Sequence, residues 1–66
     1  MGTDSRELLR LADAHGIMSY SRLLDLLDAG GESMQGLNQA ARTRQNRQFL
    51  RAYFESKRRM ARRKKA

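Results

Sequence analysis

A chain of 66 residues with no cysteine, proline or valine is read as a single small domain, residues 1–66, that can form neither a disulfide nor a thiolate metal site. Its formal net charge of +7 is split between the halves: residues 1–33 hold six acidic side chains against three arginines, and residues 34–66 hold eleven Arg and Lys against Glu55 alone. No apolar run suits a membrane span or signal-peptide core, the lone His15 cannot hold a transition metal, and no nucleophile has a base and an orienting partner; the reading is a non-enzymatic, intracellular protein, cytoplasmic or nucleoid-associated, with no cofactor.

Leu, Ala, Arg and Gln dominate and strand formers are scarce, so every element is expected to be helical. The first helix is placed at about 5–15 by the apolar spacing of Leu8, Leu9, Leu11 and Ala12. Asp4 and Glu7 are spaced as a capping box, His15 suits the last turn, and Gly16 suits a left-handed C′ position. After the turn Ile17-Met18, Ser19 is a candidate N-cap, with Met18 placed to staple onto Leu23. Leu23, Leu24, Leu26 and Leu27 form the apolar face of the second helix, Asp25 and Asp28 lie on its other side, and Gly30-Gly31 ends it. Residues 1–31 thus read as an acidic helical hairpin.

Ala12, Gly16 and Ile17 resemble the first half of a DNA-binding helix-turn-helix, in which the small residue lets the helices approach and the glycine makes the turn. The second half fits only with a turn one residue longer, which puts Leu23 and Leu26 in the core instead of Arg22 and Asp25. The would-be recognition helix then exposes Asp25 and Asp28, which phosphates repel, so any contact with nucleic acid is assigned elsewhere.

Residues 32–66 form the basic region. Ser33, Met34 and Leu37 are expected to open a short third helix running through Ala40 and Ala41. Residues 42–48 contain no apolar side chain and read as a turn or an exposed helical stretch. In composition, residues 38–48 resemble the arginine-rich RNA-binding helices of viral and phage regulators, which interleave Arg with Gln, Asn and Ala. Apolar residues resume at Phe49, Leu50, Tyr53, Phe54, Met60 and Ala61, and residues 61–66 are read as a tail free to be disordered.

Treating 44–65 as one helix and taking Arg47 as the zero of angle, Arg44, Arg51, Arg58 and Arg62 fall at roughly 20–60°, with Lys65 back near zero. Phe49, Leu50, Tyr53, Phe54, Met60 and Ala61 span roughly 200–340°. The apolar arc is expected to dock on the leucine helices while the cations face solvent. Stacked like charges repel at i,i+4 spacing, and a polyphosphate would neutralise them. The candidate contacts are Lys65 and the arginines Arg42, Arg44, Arg47, Arg51, Arg58, Arg59, Arg62 and Arg63, whose guanidinium forks suit phosphate and guanine edges. Tyr53 and Phe54 could stack on bases but are expected in the core.

The expected fold is a small all-α domain of three to four helices, with a helix-turn-helix-like hairpin and a long basic C-terminal helix. The expected function is a nucleic-acid-binding regulator of the size used by phages and plasmids, with DNA ahead of RNA and no membrane role. A homodimer or a protein partner would use the hairpin. The alternatives are an RNA-binding arginine-rich helix, and an adaptor or inhibitor that binds another protein through its leucines.

Overall fold

The computed structural model describes residues 3–65, with side chains described from 5 to 63. The order is α1 (Thr3–Ala14), α2 (Tyr20–Ala29), a 3-10 turn (Gly31–Met34), α3 (Gln35–Arg42) and α4 (Arg44–Lys65), with no strand among the described residues. This is a small all-α domain.

α1 begins earlier than expected, so Asp4 falls inside its first turn; the Asp4 side chain of the anticipated capping box lies outside the described residues. The C-terminal end follows the sequence pattern. Gly16 has φ +65°, its N–H donates to the Asp13 carbonyl at 3.2 Å, and the Ile17 N–H donates to the Ala12 carbonyl at 2.8 Å. These two bonds are the Schellman pair that closes a helix with a left-handed glycine. Ser19 is the N-cap of α2, its Oγ accepting from the Arg22 N–H at 3.3 Å. The helix ends at Gly30, where a Cβ would lie 2.1 Å from Met34 Cγ. Gly31, at φ +63°, turns the chain directly into the 3-10 turn and α3.

Residues 42–48 prove to be a one-residue corner followed by helix. Thr43 alone is extended, at φ −64° and ψ 151°. Its Oγ1 accepts from the Asn46 N–H at 3.3 Å, capping α4, and donates to the Ala40 carbonyl at 3.0 Å. Asn46 Nδ2 donates to the same carbonyl at 2.9 Å, and the Tyr20 hydroxyl donates to the Ala41 carbonyl at 2.8 Å. Two of the carbonyls left free at the end of α3, those of Ala40 and Ala41, are thus satisfied by side chains from α2, the corner and α4.

The core is Leu8, Ala12, Leu23, Leu27, Ala40, Ala41, Leu50 and Phe54. Its hub is α3, which packs against α1, α2 and α4, while α2 also meets α4. The two leucine helices are joined by residues 15–19 and share this core through α3 more than through each other, so the expected hairpin is loose. Ala40 and Ala41, buried without bulk, let three helices converge on one short one. Leu23 is buried while Arg22 and Asp25 are exposed, as the longer turn requires, but Leu26, expected in the core beside Leu23, is only half-buried, and Leu27, one turn on from Leu23, takes the core position instead.

The apolar arc of α4 is narrower than its sequence implied. Leu50 and Phe54 are buried and Tyr53 is half-buried, but Ala61 is exposed and Phe49 and Met60 are 45% and 62% exposed. For Met60 and Ala61 length is the reason, whereas Phe49, beside the buried Leu50, lies at the outer margin of the arc, roughly 140° from Phe54. α4 has 22 residues against 12, 10 and 8 in α1, α2 and α3. At 1.5 Å per residue it measures about 33 Å, and its last two turns run past the other helices in a molecule 42 Å long and 22 Å wide.

Candidate nucleic-acid interface

α4 positions nearly all of the predicted contacts. Its buried ridge, Leu50 and Phe54, lies at roughly 300–340° on the wheel that has Arg47 at zero. The cationic stripe at roughly 0–60° is therefore adjacent to the docked ridge instead of opposite it, on the edge of α4 that borders the start of α2. Arg44, Arg47, Arg51, Arg58 and Arg62 are all exposed on this edge. None of their guanidinium groups makes an ion pair or hydrogen bond with another described residue. Arg59 and Arg63, also exposed, lie at roughly 120–160° and widen the basic surface on the overhanging turns. The Lys65 side chain lies outside the described residues.

Arg42 stands apart from this group. It belongs to α3, where its Nε donates to Asn38 Oδ1 at 2.7 Å and its Nη2 lies 3.3 Å from Asp28 Oδ1. Asn38 Nδ2 donates to the same carboxylate at 2.7 Å. Arg42 thus ties α3 to the end of α2, and it is half exposed while doing so. Lys57, which was not among the predicted contacts, is similarly engaged with Asp13 of α1. The carboxylates of the acidic half therefore hold two cations of the basic half and leave the stripe free.

Sequence reading assigned α2 no part in the interface, but the fold brings it there. A groove of about 510 Å³ runs between Ser19, Tyr20 and Ser21 on one side and Arg51, Glu55 and Arg58 on the other. It continues into a second groove of about 370 Å³ lined by His15, Ser19, Arg22 and Arg58. Arg22 and His15 therefore join the basic edge. Nothing in linear spacing signals this, because the approach of α2 to α4 is a tertiary contact. Tyr53 and Phe54 are spent on structure: their rings meet edge to face at 5.4 Å, and the Tyr53 hydroxyl reaches Asp13. Among the described residues no three of His, Cys, Asp and Glu are grouped as metal ligands, and no helix is long and apolar enough to cross a membrane.

No protein-family model, no curated protein and no solved structure matches the chain. What the edge can bind follows from its own geometry. Arg47–Arg51 and Arg58–Arg62 repel at i,i+4 and Arg44–Arg47 at i,i+3, each costing about 0.2–0.5 kcal/mol. Together these pairs cost about 1 kcal/mol, a sizeable share of a stability whose ceiling is on the order of 3–5 kcal/mol. A polyanion laid along the edge removes that repulsion and gains charge-assisted hydrogen bonds from the guanidinium forks.

Proposed function

We propose that this protein is a small DNA-binding regulator that grips the duplex through the arginine edge of α4. The observation that carries the reading is the row Arg44, Arg47, Arg51, Arg58 and Arg62, exposed and unpaired among the described residues along one edge of a single helix. From Arg44 to Arg62 the row spans about 27 Å, a length that meets several phosphates in succession. The overhanging turns support DNA over RNA. A helix about 10–12 Å across enters the major groove of B-form DNA, about 12 Å wide, whereas the A-form major groove is too narrow and deep for it. The adaptor alternative calls for apolar surface on α1 and α2, but among the described residues the large exposed apolar side chains, Phe49 and Met60, are both on α4.

Electrophoretic shifts with duplex DNA, structured RNA and single strands at 50 and 200 mM salt test the proposal. Five phosphate contacts give a log–log salt slope of about −4.5, a loss of roughly 500-fold in affinity over that range. Replacing Arg47, Arg51 and Arg58 together by Ala leaves two contacts and a loss of only roughly tenfold. A stronger, equally salt-dependent shift with structured RNA transfers the same edge to the RNA reading. Absence of any shift, or binding indifferent to salt, removes both.

A further inference from the structure

We infer that the notch between the α1–α2 turn and α4, with Arg22 and Arg58 as its two cationic walls, is a phosphate-binding site. The inference rests on the proposed function, because it makes α2 a second point of attachment for the same nucleic-acid backbone. Arg22 is exposed on the first turn of α2, and Arg58 is exposed on α4 just beyond the last core contact, Phe54. Both line one groove of about 370 Å³, together with His15 and Ser19. Among the described residues no carboxylate lines that groove, whereas Glu55 lines the adjoining one beside Arg51 and Arg58. Neither guanidinium is paired with another described residue. Two cations from separate elements, unpaired among the described residues, therefore share a recess with no counter-charge among its described walls, and the His15 ring adds a further polar donor or acceptor. A tetrahedral phosphate diester is the anion that two guanidinium forks can bracket.

Such a clamp has a use that the row on α4 lacks. Contacts along one helix leave it free to roll and slide on the duplex, whereas a phosphate held between α2 and α4 sets the angle at which α4 meets the groove. Backbone contacts of this kind position a protein without reading sequence. Arg22 would then be a positioning contact whose loss weakens binding to all duplex sequences alike.

The experiment uses inorganic pyrophosphate first and duplex DNA second, on the full chain and on Arg22→Gln. Arg10→Gln, which removes an exposed α1 charge outside the notch, is the charge-matched control. In pyrophosphate titrations followed by amide NMR, saturable shifts are expected at residues 15–22 and at Arg58. Arg22→Gln is expected to weaken them about ten- to hundredfold, as loss of one charge-assisted contact implies, and Arg10→Gln is expected to leave them unchanged. With DNA, Arg22→Gln is expected to lower the salt slope by about one. Pyrophosphate shifts spread evenly over all arginines, or unaffected by Arg22→Gln, would overturn the site. If DNA binds with a steep salt slope that Arg22→Gln leaves intact, the clamp fails and the DNA reading stands. If pyrophosphate saturates the notch while no nucleic acid binds, the clamp stands as a site for a free phosphate and the DNA reading fails.

Discussion

Asp13 is where the end of α1 is fastened to α4. Its carboxylate accepts from the Lys57 ammonium and from the Tyr53 hydroxyl, and Lys57 lies 5.5 Å above the Tyr53 ring. The hydrogen bond from Lys57 holds the Asp13 carboxyl below its ordinary 3.8, slight desolvation opposing. The same contact holds Lys57 above its ordinary 10.5. A depressed carboxyl contributes stability above its unfolded pKa and loses it as pH falls through the folded value; a raised ammonium contributes below its unfolded pKa and loses it as pH rises through the folded one. The pair therefore helps across roughly pH 4 to 10, by little, since both groups face water. Urea denaturation of Asp13→Asn is expected to show a deficit at pH 7 that disappears near pH 2; a deficit constant with pH would mean that the contact is not ionic. Two glycines make a second contrast. Gly30→Ala drives a Cβ to 2.1 Å from Met34 Cγ and 2.8 Å from Met34 Cβ, and overpacking of this kind costs roughly 1–3 kcal/mol. Gly36→Ala, inside α3 with nothing within 4 Å, is expected to stabilise by about 0.5 kcal/mol. Thermal melts that move both variants in the same direction would contradict this pair of expectations.

At the scale of the element, α4 depends on its first corner. Thr43 supplies the cap to the Asn46 N–H and, with Asn46, the bonds that close α3. Thr43→Ala is expected to cost about 1–2 kcal/mol, with Thr43→Ser recovering most of it; equal melting temperatures for wild type and Thr43→Ala would show the cap to be idle. The angular separation of the α4 cations from Leu50 was legible in the sequence, because it follows from a 3.6-residue period. The corner was less so. Residues 42–48 lack apolar side chains, so periodicity says nothing there, and the one local clue is a Thr three residues before an Asn. Phe49 is exposed because it lies at the outer margin of the arc, roughly 140° from Phe54, whereas Met60 and Ala61 fail to dock for a different reason. A helical wheel has no axial coordinate, and it cannot show that the partner helices stop short.

For the whole molecule, the core among the described residues consists of eight buried side chains, three of them alanine. Phe54 is the largest of the fully buried side chains, and truncating such a phenylalanine costs about 3–5 kcal/mol. That equals the stability ceiling for a domain of this size, so Phe54→Ala is expected to be largely unfolded at 25 °C by circular dichroism, and a cooperative melt near that of wild type would refute the thin-core account. Charge is arranged as economically as the apolar groups. Asp13 and Asp28 hold Lys57 and Arg42, anchoring α4 to α1 and α3 to α2. Arg42 was legible as a cation but not as an anchor, since Asp28 lies fourteen residues away in the chain.

Helix content, the breaks at Gly16 and Gly30-Gly31, the Ser19 cap and the grouping of arginines on one side of a rod are local properties. Each depends on residues within a few positions of one another, so the order of amino acids was enough to specify them. Which flank of that rod meets water, how far it outruns the bundle, which cations are neutralised and that Arg22 comes to lie beside Arg58 depend on how α1, α2 and α4 converge on the alanines of α3. Those are contacts between distant parts of the chain, settled by packing, and no period or spacing encodes them.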